Sequence, residues 1–184
     1  EADDARLVLT VLRTAADNGA AIANKCRVDS ITSASRTEHL VNVTDSLTGN
    51  SFVIRTRAVV NAGGVWADDV RALDEKAHPD TIRPAKGVHL TVPWDKVRND
   101  IAVVIPVPKD RRSLFVVPWI SNGDGTYQYT YIGTTDTDYQ GPIDDPQCTK
   151  DDIDYVLRAL NASVTTGITA EDVTGVWAGL RPLV

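Results

Sequence analysis

The sequence predicts an α+β fold that consists mainly of antiparallel β-strands with flanking helices. Apolar and polar residues alternate over residues 41–44, a turn follows at residues 47–50, and a strand-like segment returns from Phe52 to Arg57. This pattern is typical of a hairpin or a three-stranded meander. The second half contains four more strand-like segments bounded by proline or glycine: Val88–Val92, Val103–Ile105, Leu114–Val117 and Tyr127–Gly133.

A helix is predicted at the start of the chain. Asp3 or Asp4 suits its N-cap, because a carboxylate accepts hydrogen bonds from the amides of the first turn, and Gly19 suits its end. One face of the helix is apolar and contains Leu7, Val11, Leu12 and Ala15. Residues 20–31 then predict one strand or a pair of short strands.

The next segment predicts a strand, a glycine turn and a helix. Val59 and Val60 are β-branched and favour a buried strand, and the glycine pair that follows permits backbone angles closed to other residues. The helix is expected over residues 65–73. The polar loop 74–80 is the best internal boundary and separates residues 1–73 from residues 81–184.

Turn residues and one clear helix organise the second half. Four prolines are expected to close strand ends, namely Pro93, Pro106, Pro108 and Pro118. Residues 122–125, with the sequence NGDG, predict a hairpin turn. Thr149 and Asp152 form a capping-box pattern before a helix whose apolar face contains Ile153, Val156, Leu157 and Leu160. A last strand, Thr174–Leu180, leads to Arg181.

The composition indicates a globular protein without a nucleic-acid partner. Hydrophobic residues make up 42% of the 184 residues and charged residues 24%, and no apolar run reaches membrane-spanning length. The net charge of −6 and the absence of a basic run argue against nucleic-acid binding. Cys26 and Cys148 have no metal-like spacing, and we expect two free thiols and no metal site.

The glycine pair has two interpretations. Open α/β sheets use a strand, a glycine turn and a helix to present bare backbone to a nucleotide or flavin, and the same pattern also forms ordinary turns. The fingerprint Gly-x-Gly-x-x-Gly occurs nowhere in the sequence. Any cofactor contact of Asn61, Ala62, Gly63 and Gly64 is therefore expected to be secondary to a main nucleotide site elsewhere.

Four side chains are candidates for binding or catalysis. Arg181 offers a planar fork of donors that suits a phosphate or carboxylate, and an ordinary surface ion pair is the alternative. If Lys86 and His89 face the same cavity, His89 is able to accept or relay a proton near neutral pH; otherwise His89 is a core or edge residue. Thr134 lies in a polar segment, 133–139, that does not match a calcium loop; we expect a turn there, with Thr134 or Thr135 touching substrate.

Six short segments occur in a fixed order: DDARL (3–7), VNAGGVW (60–66), KGVH (86–89), VPW (117–119), IGTTD (132–136) and GLRPL (179–183). As an ordered set they resemble the FAD-dependent glycerol-3-phosphate dehydrogenases, within the larger family of glycine- and D-amino-acid-oxidase-like flavoproteins. The resemblance runs along essentially the whole chain. It implies a substrate-binding antiparallel sheet domain in residues 81–184. Residues 1–73 would then supply a peripheral helix and strands of an incomplete FAD-binding domain.

The resemblance also implies a reaction. sn-Glycerol 3-phosphate would be oxidised to dihydroxyacetone phosphate, with a hydride passing from C2 to FAD, a base taking the hydroxyl proton, and the electrons continuing to a quinone. Arg181 would bind the phosphate or orient the substrate, and His89 would be a proton acceptor or polar contact. Lys86 and Thr134 would be further substrate contacts, and residues 61–64 would lie against FAD.

The same resemblance implies a cytoplasmic protein at the inner face of the cell membrane, and it leaves a homodimer open. Because the chain starts on Glu1 without Met and stops at Val184 directly after a strand-like segment, we expect a piece of a longer protein. The isolated chain is then expected to be colourless and inactive. The alternatives are an oxidase of the same fold that acts on glycerol phosphate or an amino acid, and a non-enzymatic α+β ligand-binding module.

Overall fold

The computed structural model describes residues 3–75 and 80–184, and the predicted α+β fold with mainly antiparallel sheets is confirmed. Its described residues form two compact units, one containing residues 3–61 and 69–75 and the other residues 62–68 and 80–184. The helices are α1 (Asp4–Asp17), α2 (Ala67–Ala72) and α3 (Lys150–Asn161). The strands are β1 (Cys26–Ser35), β2 (Glu38–Asp45), β3 (Ser51–Thr56), β4 (Arg83–Pro93), β5 (Val103–Pro106), β6 (Ser113–Ser121), β7 (Tyr127–Gly133), β8 (Thr137–Asp138) and β9 (Gly175–Leu183).

Helix α1 begins as the sequence predicts. The Asp3 carboxylate accepts a hydrogen bond from the Arg6 amide at 3.0 Å, which satisfies one of the free N–H groups of the first turn. The helix ends at Asp17, and Gly19 follows with a φ of 91°. Its predicted apolar face is exposed within its unit, since Leu7 and Val11 are both more than half accessible to solvent.

The first unit also contains the predicted three-stranded meander, with the antiparallel order β1-β2-β3. Val41 and Val43 point inward and pack with Ile31, as the alternating pattern predicts. The predicted strand over residues 20–31 was wrong in its position, because β1 begins at Cys26. Strand β2 ends at Asp45, opposite Cys26, so the ladder has no further partner for residues 20–25.

The predicted strand at Val59 and Val60 was wrong. Neither residue belongs to a strand, and Val60 is 88% exposed. A β-branched run forms a strand only when a neighbouring strand takes its hydrogen bonds, and none of the described segments pairs with these two residues. The helix predicted over 65–73 appears as a 3₁₀ turn, Gly64–Trp66, followed by α2. Part of the predicted boundary loop 74–80, residues 76–79, lies outside the described residues.

The second unit is built on a six-stranded antiparallel sheet. Its strand order is β5-β6-β7-β4-β8, and β9 pairs with the other edge of β4. Strand β7 has the predicted bounds, and the turn at residues 122–125 has positive φ at both Gly123 and Gly125. Three strands extend well beyond their predicted bounds, since β4 begins at Arg83, β6 continues through Pro118 and β9 continues through Arg181.

Proline is tolerated inside β6 for a physical reason. Strand β5 pairs with β6 only from Ser113 to Val116, so among the described residues β6 has a single strand neighbour at Pro118. A missing N–H at an unpaired strand edge removes no ladder hydrogen bond. The prediction that Pro118 closes the strand was therefore wrong.

Helix α3 covers one face of this sheet. Its predicted capping box is confirmed, because the Thr149 hydroxyl accepts from the Asp152 amide at 3.4 Å and the Asp152 carboxylate accepts from the Thr149 amide at 2.8 Å. The buried apolar core joins side chains of α3 to those of β4, β6 and β7: Val88, Leu90, Val92, Leu114, Val116, Ile132, Val156, Leu157 and Leu160. The opposite face of the sheet carries the candidate site.

Candidate functional site

Strand β4 is the central strand of the candidate site. Because side chains alternate along a strand, Gly87 and His89 face away from α3 while Val88 and Leu90 pack under it. Strand β9 runs beside β4 with Gly179 opposite Gly87 and Trp177 opposite His89. The same period places Trp177, Gly179 and Arg181 on the face that carries His89.

Arg181 is held on this face by three consecutive residues that follow β7. Its Nη2 donates to the Thr134 hydroxyl at 3.1 Å, and its Nη1 donates to the Thr135 carbonyl at 3.1 Å and to the Asp136 carboxylate at 3.2 Å. The Arg181 side chain remains 37% exposed. It is therefore fixed in direction while part of the guanidinium stays open to solvent.

The segment Thr134–Asp136 leaves the strand ladder between β7 and β8. Strand β7 ends at Gly133 opposite His89, and β8 resumes at Thr137 opposite Lys86. In the gap, the Thr135 hydroxyl accepts from the Val88 amide and donates to the Lys86 carbonyl, both at 3.1 Å. The buried threonine thus replaces the missing strand partner, which matches the prediction of side chains bonding to backbone here.

Two glycines make room for the functional side chains. A Cβ atom at Gly87 would lie 2.6 Å from the Thr134 hydroxyl and 2.9 and 3.0 Å from the two terminal nitrogens of Arg181. A Cβ atom at Gly133 would lie 2.3 Å from Cδ2 of His89. All four distances are below van der Waals contact, so any larger residue at either position would have to push these groups aside.

His89 lies among aromatic rings on the same face. Its imidazole stacks on the Trp177 indole with a centroid distance of 5.2 Å and an interplanar angle of 11°. Tyr131 meets it edge-on at 5.9 Å, and Trp119 in turn packs edge-on against Tyr131 at 5.4 Å. These contacts fix the plane of the imidazole.

The surroundings of His89 keep it neutral. Burial of the ring, and then the positive charge of Arg181, lower the pKa of His89 from its ordinary value of 6.5. A neutral imidazole has one ring nitrogen that is able to accept a proton. Arg181 and His89 therefore place a group with the chemistry to bind an anion and a group with the chemistry to accept a proton on one face of the sheet.

Lys86 does not share this face with His89. The predicted arrangement, in which Lys86 and His89 face one cavity, was therefore wrong. Lys86 and His89 are three positions apart, so strand alternation sends them to opposite sides of the sheet. The Lys86 ammonium is buried beside α3, 2.6 Å from the Asp152 carboxylate and 3.2 Å from the Gln147 carbonyl. Burial alone raises the pKa of the Asp152 carboxyl, but hydrogen bonds from Lys86 and Thr149 outweigh burial and hold that pKa below its ordinary value.

The boundary between the two units falls within the glycine turn, residues 61–64. Asn61 ends the first unit, where it lines a cavity of about 260 Å³ together with Ile31, His39 and Val59. Ala62, Gly63 and Gly64 belong to the second unit, and the 3₁₀ turn that begins at Gly64 lies next to β9. Gly64 has a φ of 58°, and a Cβ atom there would meet nothing within 4 Å. Its main chain is therefore accessible to a group approaching from that side.

Sequence reasoning missed Asp136 and the aromatic residues around His89. A signal existed for Trp177, because the alternation of a strand that contains Arg181 places residues 177 and 181 on one face. Trp119 and Asp136 stand in two of the six ordered segments, but their contacts, like those of Tyr131, depend on strand register and could not be predicted.

The described part of the chain contains neither a cluster of metal-binding side chains nor a membrane-spanning helix. Residues 3–75 and 80–184 contain no group of three or more His, Cys, Asp or Glu side chains placed to hold a metal ion. Among the same residues, no helix combines the length and the apolar character needed to cross a bilayer.

Comparison with known proteins supplies an independent result. The family model described as FAD dependent oxidoreductase matches residues 1–184. Glycerol-3-phosphate dehydrogenase 2 of Mycobacterium tuberculosis (strain ATCC 25618 / H37Rv) is 40% identical over 181 residues, which are 98% of this chain and 29% of that protein. The aerobic glycerol-3-phosphate dehydrogenase of Staphylococcus aureus (strain MRSA252) is 36% identical over 184 residues, which are 99% of this chain and 32% of that protein.

A solved structure agrees with these relatives. The X-ray structure of the glycerol-3-phosphate dehydrogenase from Bacillus halodurans complexed with FAD aligns with all of this chain, with a TM-score of 0.88 and 37% sequence identity. The aligned part is 36% of that chain. The chain thus spans about a third of the length of the relatives that it matches.

Proposed function

This chain belongs to the FAD dependent oxidoreductase family, and from that premise we propose that it forms part of an enzyme that oxidises sn-glycerol 3-phosphate to dihydroxyacetone phosphate. The names of the similar proteins support this substrate. Because the chain spans about a third of their length, the activity is proposed for the intact protein and not for this chain alone. The isolated chain is expected to purify without colour and without activity.

One observation carries the proposal. The guanidinium of Arg181 is fixed over Gly87 on the sheet face that also holds His89 among aromatic rings. A phosphorylated alcohol needs a fixed cation for its phosphate and a proton acceptor for its hydroxyl group. Arg181 supplies the first and His89 the second.

Each residue then has a defined task. Arg181 donates to phosphate oxygens from the part of its guanidinium that its protein contacts leave open, and Thr134 holds the Nη2 side of that fork. His89, whose pKa burial and Arg181 keep low, remains neutral near pH 7 and accepts the proton of the C2 hydroxyl group. Lys86 has no part in substrate binding in this proposal, because it is buried on the other face of the sheet.

The residues present fit an FAD cofactor at the glycine turn. Gly64 offers accessible main chain at a positive φ, and Ala62 and Gly63 precede it in the same unit. We propose these three residues as cofactor contacts, and the predicted contact of Asn61 stays a proposal that rests on its place in the sequence. FAD, when bound, supplies the two-electron acceptor for the oxidation.

Further parts of the proposal rest on the resemblance alone. We propose that the electrons pass to a quinone and that the intact protein is cytoplasmic and associates peripherally with the inner face of the cell membrane. A short-chain quinone added without oxygen should then reoxidise the reduced protein. Reoxidation by oxygen alone would contradict the quinone proposal.

The experiment that tests the substrate is anaerobic mixing of the intact flavoprotein with sn-glycerol 3-phosphate, followed by flavin absorbance. Bleaching is expected with this substrate and not with sn-glycerol 1-phosphate, glycerol or D-alanine. Arg181→Ala should raise KM for the phosphorylated substrate by about tenfold or more, because a charge-assisted fork is lost. Arg83→Ala is the matched control, since Arg83 lies on the same sheet in an exposed pair with Asp138. Bleaching by D-alanine alone would overturn the proposed function.

A further inference from the structure

Arg181 contacts two neutral protein groups and one ionised group. Its contacts with the Thr134 hydroxyl and the Thr135 carbonyl are neutral, whereas its contact with Asp136 is an ion pair at 3.2 Å. The Asp136 side chain is 52% exposed. A solvated carboxylate therefore lies beside the guanidinium that the proposed function assigns to the substrate phosphate.

The neutral contacts are sufficient to fix the direction of Arg181. Thr135 is locked in place by its own hydroxyl, which bonds to the Val88 amide and the Lys86 carbonyl. The Asp136 main chain is held separately, because Arg112 donates from Nη1 to the Asp136 carbonyl at 3.0 Å. Arg112 is itself anchored by the Asp110 carboxylate through Nε and Nη2. The segment that positions Arg181 thus does not depend on the Asp136 carboxylate.

The Asp136 carboxylate leaves one edge of the guanidinium open. A guanidinium carries five N–H donors. Within the described residues, Arg181 makes three protein hydrogen bonds, two from Nη1 and one from Nη2, and none from Nε. Nε–H and Nη2 lie on one edge of a guanidinium, and that edge suits two oxygens of one phosphate. A phosphate bound there would lie close to Asp136, and the negative charges of the phosphate would be repelled by the Asp136 carboxylate.

We propose that Asp136 is a counter-charge that weakens the binding of phosphate-bearing ligands to Arg181 and so keeps them exchangeable. The inference rests on the proposed function and deepens it, because it names the residue that sets anion affinity at that site. A carboxylate that served only to position Arg181 would strengthen phosphate binding. A counter-charge weakens phosphate binding. The two roles therefore predict opposite changes in phosphate affinity when the Asp136 charge is removed.

The test is the affinity of the intact flavoprotein for inorganic phosphate, measured by calorimetric titration at low ionic strength. Asp136→Asn keeps a hydrogen-bond acceptor of the same size and removes the charge, so we expect phosphate to bind about three- to tenfold more tightly. Thr134→Val removes a neutral positioning contact and should weaken binding. Asp154→Asn, which removes the same charge from α3 on the other face of the sheet, should leave the affinity unchanged.

A higher salt concentration should reduce the gain in phosphate affinity from Asp136→Asn, because salt screens the repulsion between Asp136 and phosphate. Weaker binding in Asp136→Asn, or no change, would overturn the inference. Failure of both wild type and Asp136→Asn to bind phosphate would also overturn it. The proposed function fails by a different result, namely the lack of flavin bleaching by sn-glycerol 3-phosphate in the wild type. The two failures are therefore distinguishable.

Discussion

The guanidinium of Arg181 lies directly over Gly87, so that a methyl group at Gly87 would stand 2.9 Å from Nη2 of Arg181. The two residues are on neighbouring strands, with Arg181 on β9 opposite Ala85 of β4. The absence of a side chain at residue 87 is thus what allows Arg181 to reach Thr134. The position of the Arg181 guanidinium on this face therefore depends on a glycine that has no side chain of its own.

Gly87→Ala should disrupt that geometry. Its Cβ would displace both the Thr134 hydroxyl and the Arg181 guanidinium, and we expect KM for the phosphorylated substrate to rise about tenfold or more with a smaller change in kcat. Steady-state kinetics of the intact enzyme measure this. Gly179→Ala is the matched control, because Gly179 is the strand partner of Gly87 and a Cβ atom there meets nothing within 4 Å. Equal effects of the two substitutions would contradict the explanation.

Gly133→Ala should act on His89 instead. The added methyl group would overlap the imidazole at 2.3 Å from Cδ2, and the backbone of β7 is held by pairing on both sides. The ring is therefore expected to rotate out of its stack on Trp177, with kcat falling by about tenfold to a hundredfold and KM changing less. A crystal structure of the variant together with its kinetics tests this. A ring left in its original position would disprove the steric argument.

Trp177→Ala should change the pH dependence of the reaction. The groups that face the imidazole are Trp177 and the charged Arg181 from β9 and Tyr131 from β7. Removal of the indole admits water, and because burial is the main cause of the lowered pKa, the pKa of His89 should rise toward 6.5. The acid limb of kcat/KM should therefore move to higher pH.

Trp177→Phe is the control for this change, since a phenyl ring preserves most of the stack and should leave the acid limb near its original position. Nuclear magnetic resonance titration of the imidazole, assigned with His89→Gln, measures the same pKa without reference to activity. An acid limb that stays in place in Trp177→Ala would show that burial by Trp177 does not control His89.

Lys86→Met should destabilise the fold. The substitution leaves the Asp152 carboxylate buried without its cation, and we expect the free energy of unfolding to fall by about 3–5 kcal/mol. Lys96→Met is the control, because the pair of Lys96 with Asp172 is partly exposed and its loss should cost about 0–1 kcal/mol. Chemical denaturation compares the two. A small effect of Lys86→Met would indicate that Asp152 takes up a proton or reaches water.

Local chemistry made much of the fold predictable. The capping box of Thr149 and Asp152, the turn at Gly123 and Gly125, and the bounds of β7 all follow from residues that are neighbours in sequence. Interactions of this kind are complete within a few residues, so no distant segment changes them. The same logic failed at Val59 and Val60, because a strand also needs a partner that the local sequence does not specify.

The candidate site was predictable only in part. Arg181, His89 and Thr134 were identified from their chemistry, and the structure places all three on one face of the sheet. Lys86 has equally suitable chemistry, yet the alternation of β4 sends it into a buried ion pair with Asp152. Residue type predicts the chemistry of a side chain, whereas the alternation of side chains along a strand decides which groups that side chain contacts.

The sequence by itself determined the fold class, the caps and turns, and the chemical identity of the groups that form the site. Only the tertiary structure decided that His89 stacks on Trp177, that Asp136 pairs with Arg181, and that Gly87 makes room for the guanidinium. These contacts join residues that are 45 to 94 positions apart in the chain. Their formation depends on the register of β4 with β7 and β9, and that register is set by the packing of the whole sheet.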